Sequence, residues 1–189
     1  MQLKRIVLCV FIFWQVVQSW GQIVKSKEYP VLRSSIQFTV KNAEINVNGT
    51  FEKIDTHLFF DQLQPEKSSF DATIFVESIY TKIKLRDKHL KGKSYFDEVQ
   101  YPEIRIQLMS AKHLAKNQYE GLFKIKIKNV EKNIAIPFAF LESKDQIIFS
   151  SQFVLNRLDF KVGGKSWTMS DFIRLKVEFV ASTSFKPSN

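Results

Sequence analysis

The side chains that most often do chemistry are thinly spread in this chain. Its three histidines, His57, His89 and His113, stand far apart, and none belongs to the His-Glu-x-x-His spacing that places two ring nitrogens on one metal. The single cysteine, Cys9, lies inside an apolar run and follows Leu8. It therefore predicts neither a disulfide nor a thiol nucleophile, and the missing small residue before it speaks against a lipid anchor. No Gly-x-Ser-x-Gly elbow, Gly-x-Gly-x-x-Gly turn or phosphate-binding loop occurs. The expectation is a protein with no metal, no catalytic residues and no enzymatic activity. What remains is charged: Arg86-Asp87, with His89 close behind, and Arg157 with Asp159. These five fit two roles. One is to fix loops by hydrogen bonds, for instance Arg86 to Asp97, with Asp159-Phe160 closing a turn and His89 bonded at a barrel end. The other is to meet a polar headgroup, for which the planar guanidinium of Arg86 or Arg157 is suited.

The elements that must position these groups are strands. Apolar and polar residues alternate with a period of two, which puts successive side chains on opposite faces of an extended chain. Ile36, Phe38 and Val40 alternate with Gln37, Thr39 and Lys41, and Phe70, Ala72, Ile74 and Val76 alternate with Asp71 and Thr73. Tyr119, Gly121, Phe123, Ile125 and Ile127 do the same, with Leu122 as the one apolar residue on the polar side. Further runs centre on Ile104, Ile106 and Leu108; on Ile134, Ile136, Phe138 and Phe140; on Ile147, Phe149 and Phe153; and on Ile173, Leu175, Val177 and Phe179. With a less regular stretch from Ile45 to Asp61, this predicts eight to ten strands. Asn48-Gly49, Gly163-Gly164, Pro65, Asn117, Asn129 and Lys144-Asp145 read as turns between them. One short helix is expected over residues 82–91. Many strands, short turns and one helix describe an all-β sandwich or barrel, and the pattern leaves that choice open.

The amino terminus reads as an export signal: Lys4 and Arg5, an apolar run from Ile6 to Val17, then Ser19-Trp20-Gly21. Residues 1–21 are expected to be removed, leaving one domain over 22–182 and a frayed tail over 183–189, in the periplasm or outside the cell. The whole chain carries 28 basic and 19 acidic residues, a formal charge of +9; without Lys4 and Arg5 the charge is +7. The lysines are dispersed, and the aromatic residues lie on the apolar faces instead of among them. That arrangement excludes a stacking platform for nucleic acid. Lys124, Lys126, Lys128, Arg174 and Lys176 fit a solvated sheet face or a transient contact with an anionic membrane surface. A homodimer is allowed for among the partners.

Of 18 phenylalanines, 16 remain once Phe11 and Phe13 leave with the signal. In a small barrel such rings either fill a dry core or line a channel for an apolar ligand. At about 0.8 kcal/mol per methylene, burying a chain of about fifteen carbons is worth on the order of 12 kcal/mol gross. Association costs roughly 4–15 kcal/mol, so binding could range from weak to tight.

A set of motifs in fixed order gives a resemblance. Ser35-Ile36-Gln37-Phe38-Thr39-Val40-Lys41-Asn42 comes first, then Gly49-Thr50-Phe51 and Ser78-Ile79-Tyr80-Thr81. Arg86-Asp87-Lys88-His89-Leu90, Tyr95-Phe96-Asp97 and Tyr101-Pro102 follow. Asn156-Arg157-Leu158-Asp159-Phe160, Val162-Gly163 and Ser166-Trp167 complete it. Together they resemble the YceI family of periplasmic lipid-binding proteins, also described as polyisoprenoid-binding, over about residues 23–180. Arg-Asp-x-His-Leu with the following aromatic-Phe-Asp is the most specific element. The resemblance implies an extended, lipocalin-like antiparallel barrel of about eight strands, with the short helix near its mouth. It also implies that the barrel carries, stores or senses an isoprenoid or fatty-acyl lipid and needs no other cofactor. The lumen is then expected to be lined by Ile36, Phe38, Val40, Phe51, Phe59, Phe70, Ile74, Val76, Ile104, Ile106, Leu108, Phe123, Ile125, Phe138, Phe140, Phe149 and Phe153. The competing expectation is a secreted interaction protein with a packed barrel and no internal ligand.

Overall fold

The computed structural model describes residues 28–184, so the expected signal segment, Cys9 and residues 185–189 of the expected tail lie outside the described residues. Ten strands follow in chain order: β1 (Val31–Asn42), β2 (Ile45–Phe51), β3 (Ile54–Phe59), β4 (Ser69–Phe75), β5 (Ile79–Tyr80), β6 (Glu103–Ala115), β7 (Gln118–Ile127), β8 (Val130–Glu142), β9 (Gln146–Asn156) and β10 (Met169–Ser182). Helix α1 (Lys84–Lys91) lies between β5 and β6. All ladders are antiparallel, and the sheet order is β3-β4-β6-β7-β8-β9-β10-β1-β2-β5.

That order describes a barrel, because its ends are joined through the chain itself. β2 pairs with β1, and two residues later β3 pairs with β4, so one bent strand over residues 45–59 stands between β1 and β4. The backbone N–H of Tyr29 donates to the carbonyl of Leu58 at 2.8 Å, which ties the start of β1 to β3. Near the bend, Glu52 N–H donates to Ser78 O at 3.1 Å and Phe75 N–H to Lys53 O at 3.1 Å. The ring therefore has eight staves, with β5 a short patch beside β2, and the sheet folds back on its own edges so that few are left open.

Alternation produces the inward face as read. Along β7, Tyr119, Phe123 and Ile125 are buried while Leu122 stands exposed. Two readings are corrected. Phe59 is only half-buried and stands opposite Ser69 on the outer face, whereas its neighbours Leu58 and Phe60 are buried inside. Three apolar residues in succession leave the phase of a strand undecided, and here the phase falls on the other two. Asn48-Gly49 is mid-strand, opposite Thr39 and Phe38; the turn between β1 and β2 is Ala43-Glu44, with Ala43 at φ 52°. Gly49 serves contact instead of turn geometry, since the Phe38 ring occupies the space a Cβ there would need. Gly163, at φ 70°, does serve a turn.

The connections sort the barrel's ends. The β3–β4 loop, the β6–β7 turn, the β8–β9 turn and both strand termini gather at one end. Turn 43–44, α1 with its flanking loops, turn 128–129 and the 157–168 loop gather at the other, here called the mouth. Mouth loops are tied together by hydrogen bonds from Gly163 N–H to Ser94 O (2.9 Å) and from Ala43 N–H to Thr168 O (2.6 Å).

Candidate ligand-binding site

The interior divides into a solid and a hollow half. At the end away from the mouth, Phe60, Phe70, Tyr119, Phe123, Phe138, Phe140, Phe149 and Phe179 form one ring cluster, all buried. Phe138 stacks on Phe149 at 4.4 Å between centroids, Phe60 lies 4.4 Å from Phe140, and Phe60 meets Tyr119 edge-on at 4.8 Å. Offset and edge-on rings at these spacings fill space closely.

Toward the mouth lies a cavity of about 140 Å³ whose exposed wall is entirely apolar. Nine of the expected lumen residues line it: Ile36, Phe38 and Val40 from β1, Phe51 from β2, Ile74 from β4, Ile104 and Ile106 from β6, Ile125 from β7 and Phe153 from β9. Phe70, Leu108, Phe123, Phe138, Phe140 and Phe149 belong to the packed interior instead, and Val76 is buried in the one-turn 3-10 helix Val76–Ser78. None of these seven lines the cavity, and nor does Phe59.

The lining also includes residues absent from the expected set. Ile127, Leu155, Ile173, Leu175 and Val177 continue strand alternations already legible in the sequence. Leu90, Tyr95, Phe96, Phe160, Val162 and Met169 come from α1, from the connections or from the first residue of β10, where no period-two signal exists. Phe96 reaches over the mouth to meet Phe51 edge-on at 5.9 Å.

The charged residues around the mouth are largely occupied with the fold. Arg157, 4% exposed, borders the cavity. Its guanidinium donates to Ser170 O (2.9 Å), Val162 O (3.1 Å), Gly164 O (2.8 Å) and Asp171 Oδ1 (2.9 Å). It thus pins the β9–β10 connection over the barrel end. Asp87 is buried and accepts from Thr81 N–H (2.8 Å) and Thr81 Oγ1 (2.5 Å). Arg86 donates to Thr81 Oγ1 (2.8 Å) and Thr81 O (2.6 Å), so its partner is Thr81 and not the expected Asp97. Together they clamp α1 to the end of β5. His89 is exposed, with its ring 4.9 Å from that of Tyr95, and Asp159 is exposed and pairs with Lys132 at 3.0 Å.

No group of three or more potential metal ligands exists among the described residues. His57 is near Glu28 and His113 near the carbonyl of Lys116, at opposite partners and both exposed. Burial raises the pKa of the Tyr119 phenol, and burial with Glu142 and Asp61 raises that of Tyr29. The hydrogen bond from Lys53 lowers that of Glu77. None of these groups touches the cavity. The wall that the cavity exposes is apolar and offers van der Waals contact; the one charged residue that lines it, Arg157, spends its guanidinium on three carbonyls and Asp171.

Comparison with known proteins agrees with this architecture. A model of the YceI-like domain matches residues 31–181. A UPF0312 protein of Pseudomonas savastanoi pv. phaseolicola is 28% identical over 139 residues, 70% of this chain and 72% of that protein. Burkholderia cenocepacia BcnA shares the fold with a TM-score of 0.75 at 23% identity, covering 78% of this chain and 96% of BcnA. A polyisoprenoid binding domain from Saccharophagus degradans shares it with a TM-score of 0.65 at 11% identity, covering 82% of this chain and 97% of that domain. With the matched family model spanning the barrel from β1 to β10, the chain belongs to the YceI-like family.

Proposed function

We propose that this protein binds the apolar tail of an isoprenoid or fatty-acyl lipid inside its barrel and acts as a carrier, store or sensor, without catalysis and without another cofactor. The observation that carries the reading is the cavity: an apolar void inside the barrel, beside a half that rings fill. An empty apolar void forfeits dispersion contacts, so a fold built only for stability gains by filling it. Membership in the YceI-like family and the polyisoprenoid binding of the Saccharophagus domain support the ligand class.

Export to the periplasm or beyond belongs to the same proposal and rests on the signal pattern of residues 1–21. So does a transient membrane contact, which the mouth suits better than the strand faces. From Lys82 to Lys93 stand Lys82, Lys84, Arg86, Lys88, Lys91 and Lys93 against the single acid Asp87. Leu85 beside them and Trp167 in the neighbouring loop are strongly exposed. Lysines near an anionic surface contribute about 1 kcal/mol each, and tryptophan favours the headgroup level.

Native mass spectrometry of the mature protein from its own host, followed by solvent extraction, tests the binding reading. A stoichiometric isoprenoid or fatty-acyl compound is expected. A ligand-free protein that also takes up no apolar chain would leave the packed interaction protein as the better account.

A further inference from the structure

The hollow ends well short of the barrel's length, and it ends at one level. Inward along β7, Ile125 gives way to Phe123; along β10, Val177 gives way to Phe179; along β4, Ile74 gives way past Ala72 to Phe70. Phe70 closes that level. Its ring centroid lies 5.1 Å from Phe179, 5.6 Å from Phe149 and 6.1 Å from Phe123. These four rings come from β4, β7, β9 and β10, are all buried, and meet across the lumen. None of the four lines the cavity, and no lining residue lies on their far side.

Resting on the tail-binding reading, we infer that these four rings are a floor that limits how much of a tail the barrel takes. Ile36 stands opposite Val177 just above the floor, and Val40 stands near the mouth. The four residue steps between them are about 13 Å of strand, or about 10 Å along the axis of a tilted barrel, the length of roughly eight methylenes. The 140 Å³ of the cavity holds somewhat fewer, about five groups at the roughly 30 Å³ that a water-sized group occupies in a liquid. The ligand class is thus a tail whose last five to eight or so carbons are buried. A medium-chain acyl or alkyl group fits whole; a longer chain enters by its end, and the remainder stays at the mouth.

The test is titration of the full, delipidated protein with straight-chain fatty acids of about four to about sixteen carbons, each below its micelle concentration. Affinity should tighten about fourfold with each added methylene up to roughly eight carbons and be flat beyond. Phe70→Leu, and separately Phe179→Leu, checked for a retained melting transition, should move the plateau to longer chains. Affinity that keeps climbing to the longest acid overturns the floor while leaving lipid binding intact. A folded floor variant with an unmoved plateau overturns it as well. Failure of every chain length to bind refutes the tail-binding reading itself, and with it the floor.

Discussion

The two halves of this barrel are cut from the same staves and differ in what those staves point inward. Around Phe138 the inward side chains are dominated by rings packed on one another, with Phe149, Tyr119 and Phe123 at 4.4 to 6.2 Å between centroids. Around Phe153 most are aliphatic, Ile36, Ile104, Ile125, Ile173 and Leu175 among them. Eight staves enclose a space that large side chains can just fill. Branched aliphatic chains are too short to meet at its centre, and a ring in the hollow half leaves it open only by lying against the wall. Phe38 is the clearest case: its ring lies in the place of the missing Gly49 side chain. One half therefore holds the barrel together, and the other is kept open by residues that contribute less to stability than the site permits.

The largest expected effect comes from cutting one ring out of the solid half and one side chain out of the hollow half. Phe138→Ala should cost about 3–5 kcal/mol in denaturant melts, the range for emptying a packed core site. Leu175→Ala should cost about 2 kcal/mol or less, because that side chain already borders a void. Equal costs would mean that the two halves are packed alike. Arg157→Met should cost about 2–3 kcal/mol, since it strands carbonyls at the mouth and leaves Asp171 without its partner. Gly49→Ala should push the Phe38 ring into the hollow, weakening tail binding about tenfold at a stability cost of about 1 kcal/mol. Titration with an alkyl probe separates the two effects. The smallest change is a gain. Thr56 Oγ1 is buried without a hydrogen-bond partner, the only such side-chain atom among the described residues, so Thr56→Val should stabilise by about 1 kcal/mol and leave binding unchanged.

Period-two alternation made the strands legible, and with them the inward face, because burial on one side of a strand forces that pattern. The division into halves was not legible. Phe123 and Ile125 are equivalent in a pattern of apolar and polar positions; that one closes the lumen and the other borders a void depends on which rings share a level. That depends on register across β4, β7, β9 and β10. Tyr95, Phe96 and Phe160 come from connections, where no period announces an inward side chain. The β1–β2 turn was hidden because Ala43 adopts a positive φ without being a turn-type residue, while Asn48-Gly49 has turn chemistry and no turn. The paired charges were legible as a cluster. Their partners were not, since Thr81 and three backbone carbonyls carry no signal in a motif.

An apolar tail that enters the hollow half stops at the aromatic floor. A crystal structure with a fatty acid brominated on its last carbon tests it most directly, because the anomalous signal of bromine locates the tail's end. One peak is expected, beside Ile74, Ile125 and Val177 and above the Phe70 ring. A peak among Phe138 and Phe149, or bromine bound only outside the barrel, would contradict it.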